Sequence, residues 1–438
     1  MPSKMSVSVM FLGLSALFLS ACSSDETGEK GDGLKPPEPI TLRFFSGDNN
    51  FQKRLTSDKV KQKFPHITVE FYAGNTAGGK LEDLIAAGQP PDVYYQGLSG
   101  LNNEIIKYNM QYDMSELIKK TGFNMNRLDP AYLDIIRAAS ESLGGTYYGL
   151  PVTTFTPVLF YNKDVFDKFG VAYPKDGMTW DETYELARKL TREDAGIQYK
   201  GMTMNFPYLF DNNQLAAPYL HPKENQAIMD TDQWRSIFKT FGQFYKLPMS
   251  KPLTDRSRPV EVNDFTKDRI SAMHADVTAA IESFPDDFVN WDMVSLPTMA
   301  EAPRLNAQLN PRFYYIMSSS KHKVEAFKLI EFLLTDEMQM MASKTGYGTV
   351  LDNEEIRKAY GQDFAKLKGK NTGALYVNKP VKVSRARDAK LVSVPTSSLV
   401  SKEFNAYIKD LKDVNTALRD LNEGINLMID QEKKAASK

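Results

Sequence analysis

The chain has 438 residues, and its 55 acidic and 54 basic side chains leave a net charge of −1, so the basic excess expected of a nucleic-acid binder is absent. Apolar residues make up 42%, aromatics 11% and charged residues 25%, a balance that fits a soluble chain with room for about two or three cores. A single cysteine, Cys22, excludes a disulfide within the chain and speaks against a cysteine-based zinc site.

Residues 1–21, MPSKMSVSVMFLGLSALFLSA, start with the positive Lys4 and continue as an apolar run from Val7 to Ala21. That run is shorter than the roughly 20 residues a spanning helix needs, so it reads as an export signal. Ser20 and Ala21 present narrow side chains directly before Cys22. Leu19-Ser20-Ala21-Cys22 resembles the lipobox of bacterial lipoproteins, which implies a diacylglyceryl group on the Cys22 thiol and cleavage that makes Cys22 the new N-terminus. Two acyl chains anchor a protein stably where one holds it only marginally. Residues 23–39, SSDETGEKGDGLKPPEP, carry charge, Gly and Pro with Leu34 as their only large apolar side chain, so residues 22–39 are expected to form a flexible tether.

From residue 40 the periodicity predicts strand, helix, strand, helix. ITLRFFSG (40–47) and HITVEFYAG (66–74) read as strands closed by glycine. KLEDLIAAGQPPDVYYQG (80–97) places Leu81, Leu84 and Ile85 on one side of a short helix, stops at Gly88 and Pro90-Pro91, and resumes as a strand from Asp92 to Tyr95. This alternation argues for parallel βαβ units in an α/β sheet. PVTTFTPVLFYN (151–162) is extended, and KDVFDKFG (163–170) is a short helix with Gly170 as its stop. TWDETYELARKL (179–190) opens with a capping box of Thr179 and Glu182. TDQWRSIFKTFGQFYKL (231–247) carries an apolar stripe at helical spacing, RISAMHADVTAAI (269–281) is strand-like and then helical, and NWDMVSLPTM (290–299) is a strand ending at Pro297. Residues 312–346 read as a strand, a Ser-rich cap and one long helix, 350–395 as polar and irregular, and 402–430 as helical.

GQPPDV, YYGLPVTTFTPVLFYNKDVFDKFGV followed by TWDETYELARKL, AMHADV, VSLPTM and IMSSSKHKVEAFKLIEFLLTDEMQ occur in this order. Together, over residues 40 to about 345, they resemble the extracellular solute-binding proteins of bacterial ABC transporters, family 1. The resemblance implies an α/β, two-lobed periplasmic-binding-protein-like fold with hinge strands and a ligand cleft between the lobes. Lobe one would take residues 40–152 and about 311–360, and lobe two 153–310 and about 361–438, with PVTTF as the first crossing. It also implies a monomer held by its lipid on the outer face of the cell membrane, beside the permease subunits of an importer, binding a small molecule without converting it.

The residues offer little for catalysis. The histidines, His66, His221, His274 and His322, show no zinc-hydrolase spacing, and GLSG (97–100) lacks a residue of the Gly-x-Ser-x-Gly elbow. No phosphate-binding loop, calcium loop, metal site or cofactor motif is recognisable. Loops leaving the carboxyl ends of parallel strands face the crevice of an α/β sheet, which points to Ser46, Asp48, Asn49 and Gln96 as ligand-binding residues. The resemblance adds Thr153, Thr154 and Phe155 at the crossing, Asn205 and Tyr208 in MNFPYLF, and Asp276 in AMHADV. Trp180 and Trp234 read as packing groups, while Trp291, placed before a strand, reads as partly exposed. Many sugar-binding members carry a Trp shortly after the Ala-Met segment, and HADVTAAIESF has none. An oligosaccharide or sugar derivative is the ligand the family implies most directly. A peptide or other polar metabolite is the rival ligand, and a secreted polysaccharide-degrading lipoprotein enzyme the rival class, since paired carboxylates can meet in space from distant positions.

Overall fold

The computed structural model describes residues 37–46, 55–74, 80–249, 253–382, 387 and 391–436, the side chains of Asn103 and Ala436 excepted. The leader, Cys22, most of the tether, Asp48 and Asn49 lie outside these residues. All elements described below belong to the unit Ile40–Lys438.

Ile40–Ser46 (β1), Ile67–Ala73 (β2) and Val93–Gln96 (β3) pair in parallel, with β1 in the middle. The helices Asp58–Lys63 and Leu81–Ala86 make the crossovers between them. Alternate residues of these strands enter opposite layers: Leu42, Phe44 and Tyr95 face one core, and Phe45 and Tyr94 the other. Residues 44–46 and 93–95 are buried, whereas Thr41 and Glu70 of β1 and β2 stay exposed.

Leu150–Thr153 (β4) leads through a short extended link into Pro157–Asn162 (β5), which begins a second sheet. A small hairpin, Arg192–Asp194 (β6) and Ile197–Tyr199 (β7), precedes Thr203–Met204 (β8). Met273–Val277 (β9) and Trp291–Ser295 (β10) flank β5, both antiparallel to it, while β8 runs parallel to β9. Leu305–Gln308 (β11) pairs with Lys379–Val381 (β13) outside the main sheets. Arg312–Ile316 (β12) then returns to the first sheet and inserts between β3 and β4, antiparallel to both. The expected parallel βαβ units are present in β1–β3, and β12 adds an antiparallel strand beside them. The chain re-enters the first sheet from the second one, at the opposite end from its own crossovers, so β12 runs backwards.

The core around the first sheet takes in Phe327, Ile330, Met338 and Ile356. Tyr360, Leu367 and Leu375 pack instead against Phe160 and Trp291 of the second sheet. Phe404, Leu418, Leu421 and Ile425 from the last two helices, Ser397–Ile408 and Val414–Ala436, join the other core of the second sheet. The chain thus passes from the core of one sheet to that of the other at 153–157, 308–312 and 356–360.

Local signals account for most boundaries. Gly170 adopts φ 65° at the end of helix Lys163–Phe169, a left-handed stop that glycine takes without strain. The Thr179 hydroxyl accepts from the Glu182 backbone N–H at 3.2 Å, and the Glu182 carboxylate accepts from the Thr179 backbone N–H at 2.8 Å. The single helix read over 312–346 is in fact two, Lys323–Leu333 and Asp336–Lys344. Thr335 followed by Asp336 and Glu337 is itself a helix-start signal, and Thr335 caps the second helix from inside the apolar run. Trp291 differs from expectation as well. It opens β10, is 1% exposed, and meets Phe160 and Phe284 edge-on.

Candidate ligand-binding cleft

A cavity of about 950 Å3 lies where the two lobes meet. The link after β4 borders it through Phe155. Thr153 donates its hydroxyl to the Gly348 carbonyl at 2.9 Å, and Thr154 and Gly348 exchange backbone hydrogen bonds of 3.1 and 3.2 Å. Gln339 donates to the Val152 carbonyl, so the crossing is stitched to the first lobe's helical layer. Phe155, next in line, turns into the cavity, its ring 6.0 Å from that of Tyr347.

The second lobe supplies Asn205 and Tyr208 from one short stretch. Asn205 follows β8 and caps helix Phe206–Asp211, its side-chain oxygen accepting from the Tyr208 backbone N–H at 3.3 Å. Its side-chain nitrogen is then free to donate to Asp276 at 2.6 Å. Asp276 in β9 is completely buried and does not line the cavity. It also accepts from the Val277 backbone N–H at 2.7 Å and pairs with Arg258 at 3.2 Å, with His274 Nε2 3.5 Å away. Burial raises the Asp276 carboxyl, yet His274, Arg258 and Asn205 together outweigh it and hold the group below its ordinary range. Asp276 therefore fixes two residues, Asn205 and Arg258, whose other sides face the cavity.

A second buried network stands behind the first. Arg256 bridges Glu261 and Asp264, and Lys200 meets Asp264 at 2.7 Å. Glu261 also accepts from the Met204 backbone N–H at 2.9 Å, which ties helix Arg258–Thr266 to β8, one residue before Asn205. Thr203 and His274 meet at 3.0 Å, and the His274 ring stacks on Phe265.

The first lobe contributes Asn310 and Arg312, at the start of β12, and Tyr347, while Phe364 and Lys366 come from the segment that packs on the second sheet. Lys366 is held by the Glu282 carbonyl at 3.3 Å, the Phe284 carbonyl and Asp286 at 3.3 Å. The cleft thus combines ring faces with directed donors and acceptors, the means by which proteins hold polar molecules with apolar faces.

Of the residues singled out from sequence, Phe155, Asn205 and Tyr208 line the cavity, and Asp276 stands directly behind them. Thr153 and Thr154 are buried in the crossing. Ser46 is buried at the end of β1, and the Gln96 side chain accepts from the Gly97 backbone N–H at the end of β3; neither lines the cavity. Arg258, Arg312, Tyr347 and Lys366 were not legible as site residues, because no motif precedes them. All three tryptophans are buried and absent from the lining. Among the described residues no cluster of His, Cys, Asp or Glu could hold a metal ion, and no helix is long and apolar enough to cross a membrane.

Two α/β lobes with a polar, ring-lined cleft at their junction define a binding-protein fold. The chain belongs to the family of bacterial extracellular solute-binding proteins, whose family model matches residues 49–340. It is 23% identical over 393 residues to the sn-glycerol-3-phosphate-binding periplasmic protein UgpB of Brucella melitensis, covering 85% of this chain and 88% of the relative. It is 22% identical over 357 residues to a maltooligosaccharide ABC transporter solute-binding lipoprotein of Streptococcus pneumoniae, covering 77% and 79%. An ABC substrate-binding protein from Listeria monocytogenes, solved in complex with cycloalternan, shares the fold with a TM-score of 0.67 at 18% identity, over 89% of this chain and 98% of that one.

Proposed function

We propose that this chain is the lipid-anchored receptor of an ABC importer for an oligosaccharide or sugar derivative. The observation that carries the reading is the cleft itself: Phe155, Tyr208 and Tyr347 offer ring faces beside the hydrogen-bonding groups of Asn205, Arg258 and Asn310. Sugars need both, since their C–H faces stack on rings while their hydroxyls need directed partners. Relatives named for sugars and for glycerol 3-phosphate support the same class of ligand. On this reading lobe one comprises 40–152 and about 311–360, lobe two the rest from 153, and closure about the crossings traps the ligand. Ser46 and Gln96 would reach the ligand only in a different arrangement of the lobes, and Asp48 and Asn49, in the segment after β1, are further ligand-binding candidates. Cys22 carries the lipid, residues 23–39 span the distance to the membrane, and the receptor works as a monomer with membrane permease subunits. It returns its ligand unchanged, without cofactor or catalysis.

A thermal-shift screen of residues 23–438 against sugars, oligosaccharides, peptides and amino acids tests this. Ligand at about 100 times its Kd adds roughly 2.7 kcal/mol to stability, so a sugar of the right class should raise the melting temperature by several degrees. Recovery of that sugar intact is expected; recovery in pieces would instead establish a hydrolase, and a peptide hit would replace the ligand class. For the anchor, cells fed a labelled fatty acid should incorporate label into the full chain and not into Cys22→Ser.

A further inference from the structure

We propose that Arg312 forms an anion subsite in this cleft, and that the ligand is an acidic sugar or polyol bearing a phosphate or carboxylate. The inference rests on the receptor reading above and deepens it. Two buried polar atoms in the lining, Arg312 Nε and the Tyr208 hydroxyl, have no hydrogen-bond partner among the described residues. Buried donors are rarely left unpaired in folded proteins, so two at one cavity mark a position where something else completes them. A guanidinium can only donate, and a phenol donates readily, so the complement they demand is rich in acceptor oxygens. Carboxylate and phosphate match the guanidinium fork best.

The charges in the cleft point the same way. Arg258 is committed to Asp276, and Lys366 to Asp286 and two carbonyls. Arg312 has no carboxylate partner among the described residues. The acidic lining residues Glu282 and Asp363 lie on the same segments as Lys366 and its partners, the Glu282 backbone carbonyl and Asp286. Nor is the Arg312 side chain loosely placed. Its guanidinium lies over the Phe155 ring at 5.9 Å, and a Cβ on Gly97 would come within 2.8 Å of its Nη1, so the missing side chain at 97 leaves the space it occupies. Burial raises the Tyr208 hydroxyl pKa while the Arg312 charge opposes that rise, and both side chains line the same cavity.

The test is calorimetric titration of the soluble chain at low salt with matched pairs: glucose 6-phosphate and glucuronate against glucose, and glycerol 3-phosphate against glycerol. An acidic member should bind at least about tenfold tighter than its neutral parent, with an affinity that falls as salt rises. Which acid wins separates phosphate from carboxylate. Arg312→Gln should abolish the preference, and Arg312→Lys should keep part of it, with the melting temperature of the unliganded protein unchanged in both. A preference that survives Arg312→Gln overturns the subsite, as does failure of every acidic probe to bind. Neutral oligosaccharides binding as tightly as acidic ones would overturn the subsite and leave the receptor reading in place. Failure of neutral and acidic panels alike would count against both.

Discussion

Arg256→Ala is expected to cost the folded chain about 3–5 kcal/mol, the range for removing one partner of a buried ion pair. Arg256 and Glu261 are 2% and 0% exposed, and Asp264 9%. Truncation would leave Glu261 with the Met204 backbone N–H and Asp264 with Lys200. Neither replaces a guanidinium that serves both carboxylates at once. The Arg256 backbone is also clasped by Asn405, through hydrogen bonds of 2.6 and 3.0 Å, so the change is felt in helix Ser397–Ile408 too. Denaturant unfolding of the single variant and of Arg256→Met with Glu261→Gln distinguishes the causes. The double variant should recover part of the loss, because it removes the stranded charge along with the pair. Equal losses in both would mean that side-chain packing, and not charge, is what Arg256 supplies.

Asp276→Asn should weaken ligand binding by about tenfold or more and lower stability by roughly 1.5–3 kcal/mol, as for a lost hydrogen bond to a charged group. The amide keeps one acceptor oxygen for Asn205 and the Val277 N–H, but its NH2 then faces Arg258, donor against donor. Both cleft residues that Asp276 positions would shift. The pH dependence separates this from a general loss of packing. The folded-state pKa of Asp276 is depressed, so its contribution is present above the unfolded value near 3.9 and disappears as pH falls through the lower folded value. Wild type and Asp276→Asn should therefore differ most near neutral pH and converge below about pH 4. A constant gap across that window would show that the carboxylate charge is not the stabilising element.

The strands of the first sheet, the capping box at Thr179 and the stop at Gly170 were legible because each is a local event: alternation, a hydroxyl three residues before a carboxylate, a glycine at a left-handed turn. The cleft was legible only in part. Asn205 came from the resemblance alone, and the structure places it after the carboxyl end of a strand parallel to its neighbour, the position from which crevice residues are expected. Arg312 escapes that rule because it sits at the amino end of an antiparallel strand, and Tyr347 escapes it because it follows a helix. Ser46 and Gln96 satisfy the rule, yet Ser46 is buried, the Gln96 side chain accepts from the Gly97 backbone N–H, and neither lines the cavity. Strand direction in the second sheet depends on which segment returns to which edge, and no periodicity records that.

The insertion of β12 between β3 and β4 also has a bearing on how the molecule is made. While a ribosome works from the amino end, β4 has no neighbour to pair with and β3 keeps an open edge until residue 316 has emerged. The layer that covers this sheet, Lys323–Lys344, comes later still, and the second lobe waits for helices that end near 436. Pairings so distant along the chain form slowly, and unpaired edges stay open to association in the meantime. The strand order therefore works as a timer. It postpones completion of the first sheet until β12 is available.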